Sequence, residues 1–333
     1  MSNLNKRHLH LTVSQETAGE RIDRFLAGAC PDISRECWKK VIATGGVHLN
    51  GRRWRQCSTC LRQGDRVEVF IDGRPLEPWL PGAERILYRD RWLLALDKPA
   101  GIDCQPTPAR FQGTVYQGVL DYLGRRDRRH GRKPDIGMVQ RLDRDTSGVM
   151  VFSIHPQAHK GLTRQFTEHR LRKFYLALVS GTMPDQAGVL RSNLARSRAD
   201  NLVRSVSKGG RGAVTRYRVL AREGEVSLVL VEPVTGRSHQ IRAHCSEAGC
   251  PLVGDLPYGG PAAAAGVAVH GQLLHAWQLH LKHPVSLADL RIRSGLPEQW
   301  TSVLSQVGIR FDQAWSPEQL LPFCENGACI EDC

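Results

Sequence analysis

From residue 85 onward the sequence is punctuated by short apolar runs: "WLLALDKP", "GVMVFS", "KFYLALVSG", "TRYRVL" and "VSLVLVEP". Each has the length of a strand and is rich in Val, Leu and aromatic residues. Only a few intervening stretches show helical spacing, notably residues 156–169 with Leu162 and Phe166. Such strands must bury their apolar faces against something. They predict one mixed, largely antiparallel sheet flanked by helices, an α+β domain of enzymatic size.

One junction between these runs is unusual. "GMVQRLDRDTSGVMVFS", residues 137–153, sets Arg141, Asp143, Arg144 and Asp145 between two apolar segments. Purely structural ion pairs are usually kept at the surface, because desolvation costs more than their attraction returns. A charged loop between core strands therefore reads as a candidate site. A second polar cluster, "PVTGRSHQIRAHCSEAGCPLVGDLPYGG", gathers Arg237, His239, Arg242, His244 and Asp255 within about a strand and the helix after it. Two such loops can converge on one cleft. An aspartate serves as a nucleophile when an opposing guanidinium keeps it ionised, and Asp143 and Arg242 are the candidates for that pair. Asp143 with Asp145 could in principle supply the two carboxylates of glycoside hydrolysis. Neighbours two apart in a tight turn suit that geometry poorly, and Asp145 is read as an ion-pair or turn residue.

The chain ahead of this domain reads as a separate unit, residues 13–75. Ile22, Phe25 and Leu26 recur at helical spacing. A second helix opens at Ser34, a good N-cap, carries Trp38, Val41 and Ile42 inward, and stops at Gly45-Gly46. "VHLNGRRW" is a strand followed by an Asn-Gly turn, and "GDRVEVFI" is a strand with Val67, Val69 and Ile71 on one face. A Pro-rich linker, residues 76–84, separates this unit from the domain at 85–312, and residues 313–333 read as a weakly constrained tail.

Charge narrows the partner. Against 33 Asp and Glu stand 46 Lys and Arg, a formal net charge of +13, and such a balance attracts polyanions. Nucleic acid is the expected partner. Arg35, Lys39 and Lys40 on the second helix and Arg52, Arg53 and Arg55 around the hairpin are placed to grip phosphates rather than read bases. The run "GRRDRRHGRK", residues 124–133, reads as a surface loop.

Several chemistries find no support. There is no G-x-x-x-x-G-K-S/T loop and no H-E-x-x-H, and "GGRGAV" lacks the third glycine of a dinucleotide turn, so no cofactor is expected. Cys57-x-x-Cys60 has no second pair at zinc-ribbon or finger spacing. Cys324, Cys329 and Cys333 have loose spacing and no neighbouring histidine, and no metal is expected either. The ten cysteines match no secreted framework. With no run of about 18 apolar residues and no signal-like start, a reduced, cytoplasmic, membrane-free protein is the expectation.

Two resemblances emerge from these motifs. "RIDRFL", "ISRECWKKVIATGGVHLNG" and "LRQGDRVEV" resemble the S-four RNA-binding domain of ribosomal proteins and several RNA modification enzymes. "QRLDRDTSGVMV" resembles the H-R-L-D-x-x-T-S-G motif of RluA-type pseudouridine synthases. It is supported by "LDKPAGI", "RKFYLALVSG", "AVTRYRVL", "TGRSHQIRAHCSEAGCPLVGDLPYGG" and "LLHAWQLHLKHP" in the family's order, over residues 85–290 or so. The resemblance implies uridine isomerisation in RNA without a cofactor. Asp143 is then the nucleophile, Arg141 helps fill the space left by a flipped uridine or holds the flipped nucleotide, Tyr175 stacks on the uracil with a further role in proton movement open to it, and Arg242 pairs with Asp143. Arg237 and His239 lie in the supporting motif. Gln140 stands where the family usually has His, keeping a hydrogen bond but not a positive charge. Asp97 replaces Asn, Ser238 replaces Thr and Leu281 replaces Phe. Large-subunit ribosomal RNA is the expected substrate and a monomer the expected state. Transfer RNA, or a non-catalytic role in ribosome assembly, are the alternatives.

Overall fold

The computed structural model describes residues 4–126, 134–312 and 314–321. These fall into two compact units, the chain passing between them after residues 82, 101 and 134. The basic run ends outside the described residues, as do Cys324, Cys329 and Cys333.

In the first unit, β1 (Arg7–Thr12), β2 (Val47–Leu49), β3 (Arg52–Trp54) and β4 (Arg66–Ile71) form an antiparallel sheet in the order β1-β4-β2-β3. Two helices, α1 (Ile22–Ala29) and α2 (Arg35–Thr44), share a core with it. Ile22, Leu26, Trp38, Ile42, Val67 and Val69 are its fully buried centre. The Ser34 hydroxyl accepts the Cys37 N–H at 3.3 Å, and α2 ends where Gly45 turns left-handed at φ +97°. Asn50 and Gly51, both at positive φ, make the tight turn from β2 to β3. The sequence reading did not include β1, although "RHLHLT" alternates, with Leu9 and Leu11 packing on the core and His8 and His10 exposed.

Residues 102–126 return to this unit and carry α3 (Val115–Arg126). The sequence reading grouped them with the larger domain, but their partners lie here. The Phe111 and Gln112 N–H groups donate to the Thr44 carbonyl at 2.7 and 3.0 Å. Arg110 grips Asp72 through two bonds of 2.7 Å, and the Arg53 guanidinium donates to the Thr107 carbonyl.

The second unit is built on an eleven-stranded sheet. Its strands are β5 (Ile86–Arg89), β6 (Leu93–Lys98), β7 (Gly137–Met138), β8 (Ser147–Ser153), β9 (Arg172–Ser180), β10 (Ala187–Arg196), β11 (Val203–Ser205), β12 (Arg211–Glu223), β13 (Val226–Pro233), β16 (Leu274–Lys282) and β17 (Asp289–Arg293); a separate small hairpin holds β14 (Ala263–Ala264) and β15 (Val267–Ala268). The path runs β11-β10-β12-β13-β9-β16-β8-β6-β5, with β17 beside β16 and β7 beside β8. Every pairing is antiparallel except β8 with β16. This is the mixed, largely antiparallel α+β sheet that the apolar runs predicted.

Both faces of the central strands are covered, which is why β9 and β13 read as continuous apolar runs. On one face Phe174, Leu176, Leu228 and Leu230 pack with Trp277 and with Trp300 of α6 (Glu298–Val307). On the other, Ala177, Val179, Val229 and Val231 pack with Ile241 and Cys245 of α5 (Gln240–Glu247). α4 (Pro156–Thr167) buries Ala158 and Leu162 against β6 and β8, close to its predicted span. The described part of the tail, residues 314–321, is anchored on the core, which its composition did not suggest. Through α7 (Pro317–Leu320), Trp315, Leu320 and Leu321 join the first cluster, and Arg172 donates to the Leu321 carbonyl at 2.5 Å.

Candidate active site

The charged stretch 140–146 is the connection that enters β8, and buried groups fix its path. Lys98 at the end of β6 is fully buried, and its ammonium donates to the carbonyls of Pro99, Arg144 and Thr146 at 2.9, 2.6 and 2.8 Å. The Gly101 N–H also reaches the Arg144 carbonyl, at 2.9 Å. Gln272 donates to the Thr146 hydroxyl at 3.1 Å, and Ser147 pairs with His275 at 2.8 Å. Burial pushes His275 down to about 3, so its ring is neutral. Gly148, at φ +112°, lies so close to the backbone of Ala276 in β16 that a Cβ would collide with it, which accounts for the glycine ending "TSG".

These anchors leave Asp143 at the surface of the loop, its side chain 27% exposed. Arg242, on α5, donates to Asp143 at 3.0 Å. The same guanidinium forms two 2.7 Å bonds with Asp255, whose side chain is fully buried. Burial opposes the charge on Arg242, but hydrogen bonds and attraction from Asp255 and then Asp143 outweigh it, and its pKa is raised. The bidentate grip fixes both position and plane of the guanidinium. Arg242 also lies over the ring of Tyr258, 4.7 Å from its centroid.

His239 completes the cluster. It precedes α5 in a left-handed conformation, φ +51°, costing on the order of 1 kcal/mol for a non-glycine residue. Its Nδ1 is 2.9 Å from the Tyr258 hydroxyl, which already accepts the Val203 N–H at 2.8 Å. A tyrosine donating to Nδ1 would leave the proton on Nε2, which faces Asp143 at 3.9 Å; the other tautomer would donate from Nδ1 to the hydroxyl. Burial lowers the pKa of His239, while Asp143 opposes that shift.

The remaining predicted residues are more dispersed. Gln140 donates to the Val149 carbonyl at 3.2 Å, holding the loop against β8. Arg141 is exposed on the same loop. Tyr175 lies on β9 between Val231 and Ala276 and packs, partly buried, on the cluster shared with α5. Arg237 donates to the Gly212 carbonyl of β12 at 2.9 Å, and its own N–H is accepted by Gln240 at 3.0 Å. Asp145 pairs with Arg144, as its turn position suggested. Asp97 faces Ser294 and Arg85. In the first unit, Arg35 pairs with Asp23 at 2.9 Å and Lys39 with Glu36 at 2.6 Å. Arg53 and Arg55 lie over Phe111, while Lys40 and Arg52 are exposed.

Sequence reasoning gave no role to Tyr258 or Lys98, whose partners come from distant loops. Nor did it single out Lys173, two positions before Tyr175 and so on its face of β9. Burial lowers that ammonium to about 8, with Glu232 opposing the shift. The alternation "KFY" was the available signal.

This chain is similar to known proteins in sequence and in fold. The profile of the RNA pseudouridylate synthase family matches residues 92–247, a span that holds Asp143, Tyr175 and Arg242. An uncharacterised RNA pseudouridine synthase of Aquifex aeolicus is 35% identical over 296 residues, covering 86% of this chain and 93% of that one. Ribosomal large subunit pseudouridine synthase D of Nitrosomonas europaea is 33% identical over 315 residues, 91% of this chain and 89% of its own. Among solved structures, human RNA pseudouridylate synthase domain containing 4 shares the fold at TM-score 0.57 and 24% identity, over 68% of this chain and 94% of that chain.

Proposed function

Because the chain belongs to the RNA pseudouridine synthase family, and is therefore an isomerase of uridine in RNA, we propose that Asp143 is its nucleophile and large-subunit ribosomal RNA its substrate. The observation that carries the reading is the pairing of a partly exposed Asp143 with an Arg242 clamped from behind by the buried Asp255. One charge of the guanidinium faces two carboxylates, so the cluster keeps an excess negative charge on its open side.

The reaction needs little else. The uridine leaves its stack at a cost of about a few kcal/mol, less where the base is already unpaired. Arg141, exposed on the loop, occupies the space left behind, and Tyr175 stacks on the base. Asp143 attacks either the ribose or the uracil ring. The bond from ribose to the ring nitrogen breaks, and the base turns and rejoins through carbon 5. The carbon 5 proton is lost, the freed nitrogen gains one, and the aspartate is restored. Substrate and product are isomers, so the step balances without a redox partner. His239, whose pKa burial lowers, bonds with Tyr258 and lies 3.9 Å from Asp143 at the edge of the cluster.

The choice of ribosomal RNA is supported by the large-subunit activity for which the Nitrosomonas relative is named and by the basic S-four-like unit. The reading includes a monomer acting in the cytoplasm. Among the described residues, no helix is long and apolar enough to cross a membrane. Tritium release from large-subunit RNA labelled at uracil carbon 5 tests the proposal. Release by the parent and none by Asp143→Asn is expected. Equal release by both would remove Asp143 from its role, and release only from transfer RNA would change the substrate.

A further inference from the structure

The outer face of the first unit's sheet carries a group of side chains that uridine chemistry does not use. His8 and His10, two apart on β1, project from the face opposite the core. On β4, Glu68 pairs directly with His10, and Phe70 with His8. One donor atom from each of His8, His10 and Glu68 lies within 4.8 Å of the other two. His10 Nδ1 lies 3.4 Å from Glu68 Oε1.

We propose that His8, His10 and Glu68 bind one divalent transition-metal ion of the zinc class, clipping β1 to β4. Bonds of about 2.0–2.2 Å in a tetrahedral site set donor atoms roughly 3.3 Å apart, so small rotations of three side chains close the triad. Imidazole and carboxylate are the donor types such ions accept, and the single anionic ligand offsets part of the cation's charge. The Phe70 ring is stacked on His8, centroids 4.2 Å apart and planes 21° from parallel, which limits the imidazole's freedom before any ion arrives. His48, opposite Glu68 on β2, is committed elsewhere, its Nε2 lying 3.1 Å from the Pro108 carbonyl. Three protein donors leave the fourth position to solvent.

The location gives the ion a purpose. β1 is an edge strand whose one sheet neighbour among the described residues is β4, and edge strands are where sheets open and recruit foreign strands. A metal bridging a ligand pair on β1 to one on β4 would resist that opening. A simple cross-strand His–Glu pair on an exposed face would contribute little by comparison.

Zinc titration by calorimetry on the tag-free full chain, with a reductant that does not bind metals, tests the site against His10→Ala and Glu68→Gln. Both substitutions are at surface positions, and circular dichroism checks their folding. The parent should bind one zinc ion that His10→Ala binds at least tenfold more weakly, with a smaller loss in Glu68→Gln. The cobalt-loaded parent should show d–d absorption without the near-ultraviolet band of a thiolate ligand. Zinc should raise the thermal midpoint of the parent and not that of His10→Ala. Equal stoichiometry and affinity in parent and variants, or a thiolate band at that stoichiometry, would assign the zinc to cysteines and overturn the proposal. So would the absence of saturable binding in the parent.

Discussion

Each unit contains a network of aspartates and arginines, and the two differ in how their charges balance. In the first unit Asp72 is held by Arg110 and Arg74, and Arg74 also reaches Asp103 at 2.5 Å. Two acids meet two bases, and their contacts link the end of β4 to the returning segment after residue 102. In the second unit Arg242 stands between Asp143 and Asp255, two acids to one base. The first arrangement closes on itself and serves as an internal tie. The second stays open at Asp143, where an anion is fixed in place without being consumed by its partner.

If that contrast is correct, function and stability separate within the second network. Asp143→Asn should reduce tritium release by on the order of 10³-fold or more, as loss of a nucleophile does. Its folding stability should change by less than about 1 kcal/mol, because Arg242 keeps its better-buried partner. Asp255→Ala should do the reverse in proportion. It leaves a buried guanidinium short of its bidentate acceptor and should cost about 3 kcal/mol in denaturant unfolding, with weaker turnover as a consequence. A stable Asp255→Ala enzyme with full turnover would show that Arg242 does not depend on that clamp.

The candidate site was visible in the sequence because its charged residues are concentrated in two short stretches. A loop with four charged residues between apolar strands is detectable without coordinates, and Arg242 announces itself in the polar helix after β13. What escaped was supplied by chain topology. Lys98 is an ordinary strand-end lysine until the turn at 144–146 folds over it and its three protons find three carbonyls. Asp255 was visible in its cluster, but its clamp on Arg242 requires the turn after Gly254 to pack beside α5. In the first unit the helices, the Asn-Gly turn and β4 followed from local signals. The return of residues 102–126 did not, since no local periodicity encodes which neighbour a segment will choose. The described part of the tail shows the same limit: Leu321 is buried and Leu320 partly buried against an apolar face supplied by strands distant in sequence.

The closed network should reveal itself in acid. Burial works against ionisation of Asp72, but Arg110 and Arg74 outweigh it and hold the carboxyl at about 2. A carboxylate depressed in the folded state contributes stability above its unfolded value near 3.9 and loses it as pH falls through the folded one. The depression corresponds to about 2–3 kcal/mol, so Asp72→Asn should be less stable than the parent by that amount above about pH 5. The gap should be roughly halved near pH 3. Urea midpoints at the two pH values check this, and a gap independent of pH would mean that Asp72 acts through shape rather than charge.

The smallest effects belong to the exposed cations, and they separate two kinds of arginine that composition counts alike. Lys40 and Arg52 are exposed, whereas Arg35 is paired with the buried carboxylate of Asp23. Burial opposes ionisation of Asp23, yet Arg21 and Arg35 together lower its pKa, so Arg35 helps to keep a buried charge in place. Neutralising Lys40 and Arg52 to Gln should weaken RNA binding uniformly across sequences and reduce the salt slope by about 0.9 for each phosphate that is no longer neutralised. Arg35→Gln should lower the thermal midpoint and leave the slope almost unchanged. Point variants are the proper probe, because deleting residues 1–75 would also strip the partners of Arg110 and Phe111 and confound binding with folding. If Arg35→Gln alters the slope as much as Lys40→Gln does, Arg35 exchanges Asp23 for phosphate when RNA arrives. The difference between tied and exposed cations would then hold only for the free protein.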